Sequence, residues 1–327
     1  MSATRNVLVE RKLAFRSPAL SGWQWLVQDI SGQSAGPRLC VMSGVHVNEV
    51  SCIEAVFRLR EAFLQTPLKG SVSLMPLANP PALPGRCEYI CPVDGKNINF
   101  TFPGSPEGTF SEALCDALLN EWADDADCLV DLHGGDLCEE VAHFTVAPTI
   151  GDADFDAFNL QLAQAFDPQI VVTLPPTQLE QPGRSCSGRA RQRRHAAFAE
   201  AGAHGLVDET SVRFHVNGVL RIAHLLGMIP EAPPTSSTPY LADEYHWVQS
   251  RVEGWFRPAV EAGVSVEKNQ TIATIHDYSG QMLQEVISPA TGFILWRWTH
   301  ASVLVNGSLF GIAARSAHVP EHQARAT

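Results

Sequence analysis

The sequence predicts an α/β fold: a mixed, mainly parallel sheet with helices on both faces, followed by a small all-β domain. Three observations carry this reading. Through the first two thirds of the 327 residues, short apolar runs alternate with helical patterns, as strands joined by crossover helices do. A proline-rich break follows from Pro230 to Pro239, and such density of proline and small polar residues marks a boundary. Beyond it come short strands with turns and no clear helix. The expected division is residues 1–232 and residues 233–327.

Leu39-Cys40-Val41-Met42 reads as the first strand. From Asn48 to Leu64, helical spacing places Val50, Ile53, Phe57 and Leu64 on one side. Val72 to Leu77 is the next strand, and Phe110 to Trp122 fits a helix. Cys128 to Leu132, Phe144 to Val146 and Ile170 to Leu174 are further strands. Ala196 to Ala199 is another, ending at Glu200. Helices are expected over 153–165 and 208–227. After the break, Gly263 to Ile275 and Glu285 to Trp296 form strand-and-turn units resembling a barrel-sandwich module. The first unit is similar to biotinyl/lipoyl hammerhead strands. Lys268 lies in its turn, but Glu267 and Asn269 do not resemble carrier surroundings. A lid or an oligomerisation surface is the better reading, with a homo-oligomer as one partner state.

Composition narrows the function. Hydrophobic residues make up 45% and charged residues 18%, which is globular rather than disordered. A formal charge of -12 opposes a nucleic-acid partner, which calls for a basic footprint. No apolar run is long enough to span a bilayer, so no membrane role is expected. Residues 1–5 lack the apolar core of a signal peptide. Eight cysteines are scattered without a C-x-x-C, which disfavours a zinc ribbon and suits reduced thiols in the cytoplasm.

One constellation names a chemistry. His46 and Glu49 form an H-x-x-E, and His133 follows in Asp131-Leu132-His133. Two imidazoles and a carboxylate are the ligands of a catalytic zinc that keeps one position open for water. His46 follows an apolar strand and Glu49 stands near a helix start, so both can face one point. His133 also follows a strand, where ligands gather in parallel sheets. Asp131 can hold a metal-bound histidine from behind. Glu200, at the end of another strand, is placed to shuttle a proton. Asp208 and Glu209 precede an apolar helical run and read as its cap and first-turn charge.

These residues lie within a longer pattern. It comprises G-x-H-x-x-E at 44–49, Asn79-Pro80, Asp94-Gly95-Lys96-Asn97-Ile98-Asn99 before Phe102-Pro103-Gly104, and Asp131-Leu132-His133. Glu200-Ala201-Gly202, Leu206-Val207-Asp208-Glu209 and Leu225 to Ile229 complete it. Over nearly its whole length the chain resembles the succinylglutamate desuccinylase/aspartoacylase family, a branch of the zinc-carboxypeptidase-like fold. The resemblance implies one zinc per chain held by His46, Glu49 and His133, with Glu200 as catalytic acid/base. It implies hydrolysis of the amide bond of an N-acyl amino acid or related N-acyl amine, a small-molecule substrate.

The departures concern substrate. Family members carry an arginine where Phe100 stands, and a second where Glu88 stands; the glycine after the first histidine is Val47. A phenyl ring cannot replace a bidentate guanidinium–carboxylate contact. Arg86 is the nearest arginine to the second place, and Arg184, Arg189 or Arg191 can supply a cation from the segment before Glu200. The expected substrate-binding residues are Asn99, Arg86 and Arg189. A carboxypeptidase-like peptidase and a catalytically silent binding protein are the alternative readings.

Overall fold

A computed structural model describes residues 6–316; residues 1–5, read above for an apolar leader, lie outside it. In chain order come β1 (Val7–Leu13), β2 (Trp25–Ser31), β3 (Ser34–Met42), α1 (Val50–Gln65), β4 (Lys69–Met75), α2 (Phe110–Ala117), β5 (Cys128–His133) and β6 (Glu139–Pro148). Then follow α3 (Ala153–Gln164), β7 (Ile170–Leu174), α4 (Pro176–Leu179), α5 (Ser185–Arg191), β8 (His195–Ala203) and α6 (Glu209–Leu225). The C-terminal strands are β9 (Tyr240–Ala242), β10 (Glu244–Gln249), β11 (Gly254–Pro258), β12 (Ser265–Val266), β13 (Thr271–His276), β14 (Met282–Ile287), β15 (Gly292–Trp298), β16 (Ser302–Val303) and β17 (Ser308–Ala314).

A 13-stranded mixed sheet runs β1-β2-β4-β3-β5-β8-β6-β15-β17-β10, with β12 beside β15 and β7 and β9 branching from β6. Its centre is parallel: β4, β3, β5 and β8 share one direction. The flanks, β1-β2 and β6-β15-β17-β10, add antiparallel ladders. Central strands alternate between two cores. Val41, Val130, Leu132, Ala197 and Ala199 pack with α1 and α6. Met42, Leu129 and Phe198 pack on the other face with residues of α2 and α5. Burial on both faces is why these strands read as continuous apolar runs. Leu132 is fully buried, and truncating such a leucine to alanine costs about 2–5 kcal/mol.

The sheet does not stop at the boundary expected at 232/233. β15 pairs with β6 through Trp296↔Val141 and Arg297↔Glu140, and β9 pairs with β7. β11, β13, β14 and β16 form a second, four-stranded sheet. It encloses its own core of Phe256, Ile272, Ile275, Val286, Ile294, Phe310 and Ile312. The C-terminal region is thus a β sandwich of which one layer continues the central sheet.

Two expectations are corrected in detail, and one element carries no sequence signal. The helix expected to reach Trp122 ends at Ala117 and widens into a π turn over Leu118–Trp122. The strand expected to end at Glu200 runs on to Ala203, because β6 keeps pairing with it through Gly202 and Ala203 after β5 stops at Glu200. No local signal predicts the hairpin β1-β2, because the burial of β1 alternates only weakly. All eight cysteines are free thiols. Among the described residues, no helix is long and apolar enough to cross a membrane.

Candidate active site

Parallel pairing brings the chemistry-bearing residues to one edge. β3, β5 and β8 are adjacent, and their register sets Met42 beside Asp131 and His133 beside Glu200. Neighbouring strands lie about 4.8 Å apart, so His133 and Glu200 share the carboxyl-terminal end of the sheet. His46 lies in the loop after β3, and Glu49 is the residue on which α1 starts. Gly44 turns that loop with a φ of +66°, a conformation few other residues adopt. Gly134, just past His133, lies so close to β8 that a Cβ would meet the Ala201 carbonyl oxygen at 2.4 Å. Its N–H donates to Glu49 Oε2 at 3.0 Å.

His46, Glu49 and His133 are all buried, and one ligand atom from each falls within 4.8 Å of the others. The hydrogen-bond chemistry fits a cation. Asn97 Oδ1 accepts from the Asn99 N–H at 2.9 Å and lies 3.0 Å from His46 Nε2. That fixes the His46 proton on Nε2 and leaves the Nδ1 lone pair facing Glu49 Oε1 at 2.6 Å. Two acceptors at that distance need a proton or a metal ion between them. His133 repeats the arrangement. Its Nε2 is 3.2 Å from Asp131 Oδ1 and its Nδ1 is 3.0 Å from Glu49 Oε2. The angles are poor, so neither ring nitrogen has a proper hydrogen-bond partner. Asp131 is held in turn by Ser185, whose hydroxyl donates to Oδ2 at 2.5 Å. Outer carboxylate or amide partners of this kind orient metal-ligating imidazoles.

Charge balance points the same way. Burial pushes the Glu49 carboxyl up, but His46 and His133 outweigh it and bring it down to about 2. Burial pushes His133 down, yet Asp131 and Glu49 raise it well above the ordinary histidine value. The cluster attracts positive charge. Glu200 is raised well above the usual carboxylate range by burial and by Glu49 and Glu139, against the pull of His133 and Arg184. A cation beside Glu49 would lower it again.

The cluster opens into a cavity of about 910 Å3 lined by His46, Glu49, Asn97, Asn99, Arg184 and Glu200, among others. The expected substrate-binding residues separate. Asn99 lines the cavity, with Oδ1 buried and unpartnered. Arg86 is exposed and does not line it. Arg189 is fully buried elsewhere, donating to the carbonyls of Ala123 at 3.0 Å and Ala126 at 2.8 Å. Its guanidinium closes the turn after the π segment and is not free for a ligand. Arg184 is the guanidinium of the lining; it lies over the rings of Phe198 and Tyr245, 5.3 Å and 5.9 Å from their centroids. Arg191 binds the backbone carbonyls of Leu179 and Gln181.

Phe100 and Glu88 both line the cavity, so the altered positions do face it. Tyr89, which carries no sequence signal, stands perpendicular to the His46 ring at 5.4 Å between centroids. Asn97 lies in the motif at 94–99, three residues before Phe100, and that place is its signal in the sequence. Tyr245 and Trp247 carried none. Asp208 caps α6 by accepting from the Ser211 N–H at 2.8 Å. His143 stacks on Phe214, and His276 bonds within its own turn.

These features define an α/β protein with a two-histidine, one-carboxylate cluster at the carboxyl ends of its parallel strands. Residues 35–226 match the succinylglutamate desuccinylase/aspartoacylase catalytic domain, and the chain belongs to that family. It is 25% identical over 285 residues to the N-alpha-acetyl-L-2,4-diaminobutyric acid deacetylase of Halomonas elongata, covering 85% of this chain and 82% of that one. The fold is similar to a succinylglutamate desuccinylase/aspartoacylase of Rhodobacter sphaeroides, with a TM-score of 0.81, 23% identity and 95% and 96% of the two chains covered. It is equally similar to the product-bound ectoine utilization protein EutE (DoeB) of Ruegeria pomeroyi, with a TM-score of 0.81, 20% identity and 96% and 97% covered.

Proposed function

We propose that this chain is a zinc-dependent amidohydrolase that removes the acyl group from an N-acylated amino acid or related amine. The observation that carries the reading is the ladder pair His133↔Glu200, which sets a half-buried, cavity-lining carboxyl beside the His46–Glu49–His133 cluster. The deacetylase activity named for the Halomonas relative is of the same kind. His46 and His133 would hold the ion through Nδ1 and Glu49 through its carboxylate. A bound zinc supplies Lewis acidity and lowers the pKa of a coordinated water toward about 7.

The chain's own residues do the rest. Asn97 accepts from His46 Nε2, and the Asp131 carboxylate 3.2 Å from His133 Nε2 favours a proton there, so both imidazoles can present Nδ1. Glu200 takes a proton from the attacking water and returns it to the departing nitrogen, the work of a general base and then a general acid. Asn99 offers an unpaired carbonyl oxygen to a substrate N–H, and Arg184 offers a cation to a substrate carboxylate. Glu200→Gln tests the assignment. It is expected to keep stoichiometric metal and to lose amide hydrolysis by about 100-fold to 10,000-fold; near-native turnover would remove Glu200 from the mechanism. His46→Ala is expected to lose stoichiometric zinc by elemental analysis, and its retention would sink the ligand set.

A further inference from the structure

The mouth of the cavity carries an aromatic wall that the proposed chemistry does not use. Phe100, Trp247, Trp296, Val303 and Leu304 all line it. The rings form a chain: Phe100 meets Trp247 edge-on at 6.2 Å, and Trp247 tilts against Trp296 at 4.9 Å. Trp247 is 48% exposed and Phe100 46% exposed. Leaving two neighbouring aromatic faces in water is unfavourable unless something covers them.

The wall is built into the sheet. Gly311 on β17 stands opposite Trp247 on β10 and opposite Trp296 on β15. A Cβ at Gly311 would meet Trp296 Nε1 at 2.1 Å. The missing side chain therefore opens the slot in which the two indoles meet across the intervening strand. The Trp296 indole N–H donates to the Tyr245 hydroxyl, so this buried ring is held in place as the backing on which Trp247 rests. Arg184 lies over Tyr245 and Phe198 rather than on the exposed faces.

We propose that this wall is a substrate subsite for an apolar group, aromatic or aliphatic with about six carbons or more, carried by the amide substrate. The proposal rests on the amidohydrolase reading for its cavity and deepens it by naming the substrate class. An aromatic or alkyl group laid on Phe100 and Trp247 removes three apolar surfaces from water at once, and such contacts discriminate between substrates by roughly 10-fold to 200-fold. A carboxylate there would be desolvated without a partner.

Two measurements on the full chain test this. In the first, kcat/KM is compared for N-acetylglycine, N-acetylaspartate, N-acetyl-2,4-diaminobutyrate, N-acetylphenylalanine and N-octanoylglycine. The last two report an apolar group on the amine side and on the acyl side. At least one of them is expected to exceed N-acetylglycine by about tenfold. Trp247→Ala and Phe100→Ala are each expected to reduce that ratio about tenfold, mainly through KM. In the second, calorimetric titration compares 4-phenylbutyrate with succinate, neither of which contains an amide. The wild type is expected to bind 4-phenylbutyrate more tightly, and Trp247→Ala to lose that preference. Preference for N-acetylaspartate or N-acetyl-2,4-diaminobutyrate, or ratios unmoved by both variants, would overturn the subsite. If no amide is cleaved but 4-phenylbutyrate still binds through Trp247, the amidohydrolase reading fails and the apolar subsite stands.

Discussion

His215 offers a quantitative test of the buried electrostatics. It lies in α6, is fully buried, and has no well-aligned hydrogen-bond partner at either ring nitrogen. Burial, with His143 and His133 adding to it, pushes the imidazole down to about 3, and the nearby Ala201 backbone offsets little of this. The folded protein therefore holds the ring neutral where the unfolded chain, with an ordinary value of about 6.5, takes a proton. A depressed folded value means that the stability is fully present above the unfolded value and is lost as pH falls from about 6.5 toward 3. The slope in that window is about 1.4 kcal/mol per pH unit. Between pH 7 and pH 5 the unfolded imidazole passes from mostly neutral to almost wholly charged, so wild type should lose about 2 kcal/mol through this residue. His215→Leu is of similar volume and cannot titrate. Urea unfolding followed by circular dichroism at pH 7 and pH 5 measures both proteins, and other titrating groups largely cancel in the comparison. The variant is expected to lose about 2 kcal/mol less than wild type. Equal losses in the two proteins would refute the reasoning.

Three further outcomes are expected. Arg189→Met should cost about 3 kcal/mol or more by leaving the carbonyls of Ala123 and Ala126 buried without their donors; turnover per folded molecule should be retained, and a rise in KM at unchanged stability would restore Arg189 as a substrate contact. Asp131→Asn should weaken affinity for added zinc about 10-fold to 100-fold in chelator competition, because His133 Nε2 loses the carboxylate charge 3.2 Å away. Gly134→Ala should destabilise the site by forcing the loop off β8, since the new methyl would lie 2.4 Å from the Ala201 carbonyl oxygen. A variant with wild-type zinc affinity and melting temperature would show that the approach is not tight.

The parts of the structure legible in the sequence are those set by local pattern. β5 and β7 repeat apolar runs of the right length, and α6 shows both its Asp208 cap and its periodicity. The metal-type cluster was legible because each of His46 and His133 sits at the end of such a run. What was not legible depends on long-range pairing. Nothing within Ala196 to Ala203 says that β6 will extend the strand past Glu200. Arg189 and Arg184 are five residues apart in one arginine-rich segment, yet one plugs a turn and the other faces the cavity. Helix phase decides that, and α5 is too short for a pattern to fix its phase. Trp247 gave no signal because its neighbours across the sheet, Gly311 and Trp296, are distant in sequence.

The same pairing gives the site its rigidity. From Glu200 on β8, the ladder passes to Phe144 on β6, then from β6 to β15 through Val141↔Trp296, and on through Gly311 of β17 to Trp247 of β10. Four strand-to-strand ladder steps connect the far wall to the strand of Glu200, and the sheet curls so that Arg184 touches both Phe198 of β8 and Tyr245 of β10. Every step is a hydrogen-bonded ladder, not a loop. A substrate group bound on Trp247 is thus gauged against the reacting end by backbone that cannot slide without breaking register. The residues expected to form a separate β domain supply that far wall. Selection of substrate by size and polarity then follows from sheet geometry, and exchanging side chains at 100 and 247 changes what is selected without moving His46, Glu49, His133 or Glu200.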